Sequence, residues 1–303
     1  MNLSFRQLRY AVTAAEFGNL SKAAVLLNVS QPSISAAITQ IEAEFGQAIF
    51  VRRRGSGVSL TAFGRSMIDQ AQRVLGALRG LEQLGLAARE PFGKLVLGCF
   101  DELAPYYAPA LSRQLQALYP HVELIIVEEG FAELQRRLAE GSVDLALTYE
   151  LERDPEMVAM PLSELRPHAL LAPSHPLAAC ESVSMAELAD YPLIQIDQPS
   201  SWRHMLQLFQ DRGLSATVGA RARSFELLRS LVAHGFGVAV VYSQPWGDRC
   251  YDGSPLCRRP IRDELPSQRI VMARRSDYPA TAAGDALIAL ARRWFGEQDA
   301  ENV

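Results

Sequence analysis

Between Ser30 and Arg54 the sequence gathers side chains suited to reading the edges and backbone of a nucleic acid, and few suited to making or breaking bonds. Ser30, Gln31, Pro32, Ser33, Ser35, Ala36 and Thr39 fall on one side of a helical repeat whose other side carries Ile34, Ile38, Ile41 and Phe45. The first side has no carboxylate before Glu42. Such a face fits the major groove of duplex DNA, where a glutamine amide can pair with adenine and hydroxyls can meet several base edges. Further along, Arg52, Arg53 and Arg54 form a cationic cluster fitted to phosphates and to minor-groove insertion.

These side chains need a scaffold, and the neighbouring sequence predicts one. Phe5 to Phe17 reads as a first helix, with Leu8, Val12, Ala15 and Phe17 placed to pack under a helix pair. Asn19 or Ser21 can cap the second helix; Ala23 and Ala24 permit a close crossing, and Val25, Leu26 and Leu27 add apolar surface. Asn28 and Val29 make the turn, Ser30 caps the third helix, and Pro32 is tolerated in its first turn. Ile49 to Thr61 reads as a strand, a turn at Gly55-Ser56-Gly57 and a return strand, with the arginines at its tip. Thr61 then caps a long helix reaching about Arg89. Its residues Met67, Ala71, Val74, Leu78 and Leu81 alternate at spacings of four and three, a seam that a second copy of the helix would bury. Gly76, Gly80 and Gly85 weaken it by about 1 kcal/mol each relative to alanine.

Glu90-Pro91-Phe92-Gly93 reads as a hinge. Beyond it, apolar strands alternate with helices, which predicts an α/β domain with a largely parallel sheet. Strands are expected at Leu95–Cys99, Val122–Val127, Val143–Thr148, Ala169–Ala172, Leu193–Ile196, Thr217–Ala222, Val238–Tyr242, Pro255–Pro260 and Arg269–Ala273.

At this point the chain resembles a known family. Residues 1–65 are similar to the N-terminal domain of LysR-type transcriptional regulators, through Leu8-Arg9-Tyr10, Ser21-Lys22-Ala23-Ala24, Leu27, Ser30-Gln31-Pro32-Ser33-Ile34-Ser35, Ile38, Ile41-Glu42, Gly46, Phe50, Arg52, Leu60-Thr61 and Gly64. Ala36 departs from the pattern, since the family often has arginine there. Later phrases also match: Gly93-Lys94-Leu95-Val96-Leu97-Gly98, Tyr119-Pro120-His121-Val122, Gly141-Ser142-Val143-Asp144-Leu145-Ala146 and Leu231-Val232-Ala233-His234-Gly235-Phe236-Gly237-Val238. The resemblance implies a winged helix-turn-helix over 1–61, a linker helix for dimerisation over 62–90, and a two-lobed, periplasmic-binding-protein-like effector domain over 91–303. Lobe I would take about 91–163 and 268–303, and lobe II about 164–267, with crossovers near Pro161–Pro167 and Leu265–Arg269. It further implies promoter DNA and a small-molecule effector as partners, and a homo-oligomer that is a tetramer in much of the family.

In such a fold a ligand sits between lobes, at strand ends and helix starts. Those places are Phe100, Asp101 and Glu102, then Thr148 and Tyr149, then Asp197, Ser200, Ser201, Trp202 and Arg203, then Phe225 and Tyr242. Many members of the family have hydroxyl residues where this chain has Asp101 and Glu102, and acids there oppose an anion at a helix N-terminus. Aromatic faces beside a carboxylate can hold an ammonium group, while Ser200, Ser201 and Arg203 suit an anionic group. An amine-containing or zwitterionic effector is therefore expected.

The net charge of −4 divides into +4 over residues 1–90 and −8 over the remainder, a basic head on an acidic body. No run approaches the roughly 18 apolar residues of a membrane span, and the N-terminus lacks a signal-peptide core, so a cytoplasmic protein is expected. Catalysis finds little support: there is no P-loop, no GxSxG elbow and no HExxH helix, and the five histidines are dispersed. No cofactor or metal is expected. Of four scattered cysteines, Cys250 and Cys257 are close enough in sequence to bridge, which leaves a thiol-based redox sensor as an alternative. A solute-binding or enzymatic α/β protein is the alternative from another class.

Overall fold

The structure, a computed structural model, describes residues 3–53, 57–84, 91–150, 156–243, 247–278 and 281–301. It divides into two compact units, Met1–Glu90 with Arg136–Val143, and Pro91–Gln135 with Asp144–Val303.

The N-terminal unit is assembled by its caps. Helix α1 (Phe5–Phe17) starts in a capping box between Ser4 and Gln7 and ends at Gly18, φ 57°. The Asn19 side chain accepts the amides of Ser21 and Lys22 at the start of α2 (Leu20–Leu26), and Ser30 accepts that of Ser33 at the start of α3 (Gln31–Phe45). Between them Asn28 sits at φ 55°, a left-handed conformation that asparagine tolerates better than most residues. Ile34, Ala37, Ile38 and Ile41 of α3 close a core with Leu8, Ala11 and Val12 of α1 and with Ala23 and Ala24 of α2. Val25 and Leu26 do not join it: they are 80% and 62% exposed, because the short α2 turns only its alanines fully inward.

Strands β1 (Phe50–Arg53) and β2 (Gly57–Leu60) pair antiparallel, Phe50 opposite Leu60. Gly57 is required where it stands. Its φ is 95°, a Cβ there would lie 2.2 Å from the Gly18 carbonyl oxygen, and that oxygen accepts the Val58 amide at 2.8 Å. The Thr61 hydroxyl donates to the Ala48 carbonyl at 2.7 Å and accepts the Gly64 amide at 2.8 Å, which starts α4 (Ala62–Leu84).

The seam expected along α4 is divided. Met67 and Ala71, offered in sequence to a partner, are 8% and 3% exposed and belong to this unit's own core, since the first half of α4 packs on α1. Val74 stays 42% exposed and Leu78 is half-buried, while the side chain of Leu81 lies outside the described residues.

The second unit holds two sheets. The first contains β3 (Gly93–Phe100), β4 (Val122–Glu129), β5 (Leu145–Tyr149), β6 (Met157–Leu165) and β12 (Gln268–Arg275), in the order β4-β3-β5-β12-β6. Helices α5 (Ala104–Leu118), α6 (Phe131–Ala139) and α10 (Ala282–Glu301) accompany it. Leu111 and Leu115 of α5 and Leu287 and Ala291 of α10 bury Leu95, Leu97 and Leu147 in one core. The second sheet places β7 (His168–Leu171) between β10 (Ala239–Val241) and β11 (Cys257–Pro260), both antiparallel to it. A bridge from Val238 to Leu193 joins it to the parallel pair β8 (Leu193–Ile196) and β9 (Val218–Ala222). Helices α7 (Met185–Ala189), α8 (Pro199–Gln210) and α9 (Phe225–Ala233) belong to this half, and the chain passes between the sheets at 166–167 and 261–267.

Two expectations are corrected here. The sheets are mixed rather than largely parallel: β12 runs against both of its neighbours, as does β7. Strand β6 occupies part of the stretch where a crossover is expected near Pro161–Pro167; the chain crosses only at 166–167. The structure accommodates Pro161 on the sheet's edge with a bulge, Ile270 facing Ser163 and Val271 facing Pro161, so that Leu162 has no partner.

Candidate functional site

On α3, Gln31, Pro32, Ser33, Ala36 and Thr39 are exposed and Ser35 is half-buried, so the polar face foreseen in sequence lies on the surface of the N-terminal unit. Two of its hydroxyls are engaged locally. Ser30 Oγ and Ser33 Oγ are 2.7 Å apart, and Thr39 Oγ1 donates to the Ser35 carbonyl at 2.9 Å, which leaves the Thr39 oxygen free to accept. Gln40 is tied down, its Oε1 accepting from Gln7 Nε2 at 2.6 Å. Glu42, the first acid of the helix, accepts the amides of Ile49 and Phe50 at 2.7 and 3.3 Å; its charge is thereby spent on positioning β1. The backbones of Arg52 and Arg53 lie on β1; their side chains, and all of Arg54, fall outside the described residues.

In the second unit a cavity of about 50 Å³ opens between the two sheets, room for a few waters. Its walls are mostly apolar, from Leu193, Ile194, Met205, Phe209, Leu228 and Val240. Of the residues expected at the cleft, Glu102, Tyr149, Ser201, Phe225 and Tyr242 line it. The rest do not. Phe100 is core, 1% exposed with its ring 5.6 Å from that of Tyr149, and Thr148 is buried without facing the cavity. Trp202 takes the Arg221 guanidinium over its ring at 5.0 Å, and Asp197 meets the same arginine at 3.9 Å. Arg203 is exposed and folds back, Nε donating to the Pro199 carbonyl at 3.0 Å. The anion site expected at Ser200, Ser201 and Arg203 is therefore not assembled, and the aromatic group is split.

Polar contacts concentrate where the two sheets meet. Asp101 Oδ2 accepts from Gln198 Nε2 at 2.7 Å, and its Oδ1 accepts the Glu102 amide at 2.8 Å. Tyr149 Oη lies 2.6 Å from Ser243 Oγ and 3.5 Å from Glu102 Oε1. Burial, with the adjacent Asp101 adding to it, raises Glu102 to about 7; burial likewise raises Asp101 to about 6, against the two hydrogen bonds it accepts. Tyr242 Oη donates to the Pro266 carbonyl at 3.0 Å, so His204 Nε2, 3.1 Å away, must be its donor. Gln268 Nε2 donates to the Glu150 carbonyl at 2.9 Å. Gln195 is 3% exposed, lines the cavity, and has no hydrogen-bond partner for either amide atom among the described residues.

Gln195, His204, Ser243 and Gln268 were missed in sequence. Gln195 left a signal, a lone amide inside the apolar strand Leu193-Ile194-Gln195-Ile196; the others follow strand ends or helix starts without a distinguishing neighbour. Two of the four thiols, Cys99 and Cys250, offer little to a redox switch. Cys99 is pushed up to about 12 and Cys250 is also raised, in both cases chiefly by burial, which disfavours the reactive thiolate.

Comparison with known proteins covers both units. Residues 5–65 match a model described as a bacterial regulatory helix-turn-helix protein of the lysR family, and residues 88–296 match one described as a LysR substrate binding domain. The HTH-type transcriptional regulator CysB of Burkholderia cenocepacia is 31% identical over 245 residues, 80% of this chain and 78% of that one. Among solved structures, HinK, a LysR family transcriptional regulator from Pseudomonas aeruginosa, is 29% identical with TM-score 0.66, covering 98% of this chain and 100% of that one. A full-length OxyR variant from the same species is 27% identical with TM-score 0.77, covering 96% of this chain and 98% of that one. Among the described residues no helix is long and apolar enough to cross a membrane, and no cluster of three or more metal-ligating side chains forms.

Proposed function

The chain belongs to the LysR family of transcriptional regulators, and on that premise we propose that it reads promoter DNA with the Gln31–Thr39 face of α3 while the Arg52–Arg54 wing grips the backbone. It is a DNA-binding regulator with an effector-binding domain, and not an enzyme. The observation that carries the assignment of roles is the exposed, carboxylate-free face of α3, whose nearest acid is occupied in holding the wing. Residues 1–61 form the DNA-binding part, 62–90 the linker and 91–303 the effector domain; β6 carries the first lobe to Leu165. Copies pair through Val74, Leu78 and Leu81 of α4 and assemble to a dimer or a tetramer, so that two recognition helices meet half-sites on one duplex. The setting is the cytoplasm, where promoter DNA lies.

A small molecule entering the cavity meets groups tied to the second connection between the sheets, Tyr242 through Pro266 within it and Gln268, the first residue after it, through Glu150. A ligand can move the molecule between states only by its difference in affinity for them, and those two bonds are where such a difference arises. The test is electrophoretic retardation of duplex from the gene's own upstream region at low ionic strength. Retardation that an unrelated duplex of equal length does not compete away is expected; its absence overturns the reading.

A further inference from the structure

We propose that the cavity selects a small organic ammonium ion, a protonated primary amine on an apolar body, held between the carboxyl of Glu102 and the side-chain amide of Gln195. The proposal deepens the regulator reading above and rests on it for the cavity's role as an effector site. Gln195 supplies the first argument. The Gln195 amide is buried with neither its donor nor its acceptor matched among the described residues, which is unfavourable, and a ligand head toward which it turns removes that disadvantage. An ammonium can donate to Oε1, and a neighbouring hydroxyl or carbonyl on the same ligand can accept from Nε2.

Charge supplies the second argument. Among the described residues no lysine or arginine lines the cavity, whereas Glu102 does, with Asp101 beside it and Glu128 and Glu129 close enough to act on Asp101. A carboxylate ligand would meet like charge without a cation to pair with; an ammonium would meet opposite charge in a medium that screens it poorly. Asp101 does not line the cavity, whereas Glu102 does; the hydroxyls of Tyr149 and Ser243 contact its carboxyl, which keeps lone pairs to accept from an ammonium. Phe225 and Tyr149 line the cavity as well, and its aliphatic walls accept the ligand's body.

Three probes with one body and different heads test this: butylamine, 1-butanol and butyrate, titrated calorimetrically into the full-length protein at about pH 8, where Glu102 is ionised and the amine protonated. Butylamine should bind about tenfold more tightly than butanol, and butyrate should give no heat. Glu102→Gln and Gln195→Met should each weaken butylamine about tenfold. Gln195→Met should also raise the unfolding temperature of the free protein, because it removes the unmatched amide. The proposal is overturned if butyrate binds as well as butylamine, if butylamine gives no heat at millimolar concentration, or if Glu102→Gln leaves its affinity unchanged. A lowered unfolding temperature for Gln195→Met counts against it as well. Retardation of upstream DNA by the same preparation, with no probe added, reports on the regulator reading separately.

Discussion

Gln31 and Arg54 should fail in different ways. A glutamine at the start of a groove-facing helix meets a base edge, so Gln31→Ala should relax preference at one base position, at about 1–3 kcal/mol of discrimination. Arginines at a wing tip meet phosphate, so Arg54→Ala should weaken binding to all sequences and flatten the dependence of affinity on salt. Retardation over a panel of single-base operator variants at several salt concentrations separates the two; equal losses of sequence preference would contradict the division of labour. Glu102 makes a second residue-scale prediction. Its carboxyl is raised from 4.5 to about 7 by burial, so the folded chain favours the protonated acid. The stability it contributes is complete below about pH 4.5 and is lost as pH rises through about 7. Glu102→Gln should therefore gain on the wild type between pH 5 and pH 8 by up to roughly 3 kcal/mol, read from urea unfolding at each pH. A constant difference across that range would remove the assignment. His168 works in the opposite direction. Burial, helped by Arg258, lowers it from 6.5 to about 4, so its stabilising effect is lost as pH falls through that window.

At the scale of elements, α4 depends on a glycine. A Cβ on Gly64 would stand 2.1 Å from the carbonyl oxygen of Ile49, a backbone atom that cannot swing aside. Gly64→Ala should cost about 2 kcal/mol or more in chemical unfolding and should loosen the wing on α4, lowering DNA affinity without touching a DNA-facing side chain. A wild-type midpoint would show that the first turn of α4 adjusts freely. The helices were legible in the sequence because their signals are local: Ser30 and Asn19 cap where cap-forming residues were found, and the isoleucines of α3 repeat at its own period. The seam on α4 was legible only in part, since apolar spacing of four and three does not say whether the covering surface is a second copy or the chain's own α1. Met67 and Ala71 went to α1. Strand β6 was missed; it carries Pro161, which a ladder rejects everywhere except at an edge or a bulge, and this strand has both.

For the whole molecule, association and sensing have to be joined. Val74 is 42% exposed in the single chain, so Val74→Glu should leave its fold intact and act only where copies meet. Sedimentation should show a smaller assembly, with retardation of a two-half-site duplex falling about tenfold or more. An unchanged mass would move the contact elsewhere. The cavity was the least legible part of the molecule. That Glu102 and Tyr149 approach Ser243, and that Gln195 has no partner among the described residues, are relations between segments far apart in the chain, which no local pattern records. The border of the first sheet at β6 has a consequence of its own. With Pro161 lacking a donor and Leu162 out of step, that border cannot template an incoming extended segment over its full length. A crowded or heated sample should resist fibril-like stacking there, and copies that gather along that side must do so by side-chain contact, which can be undone.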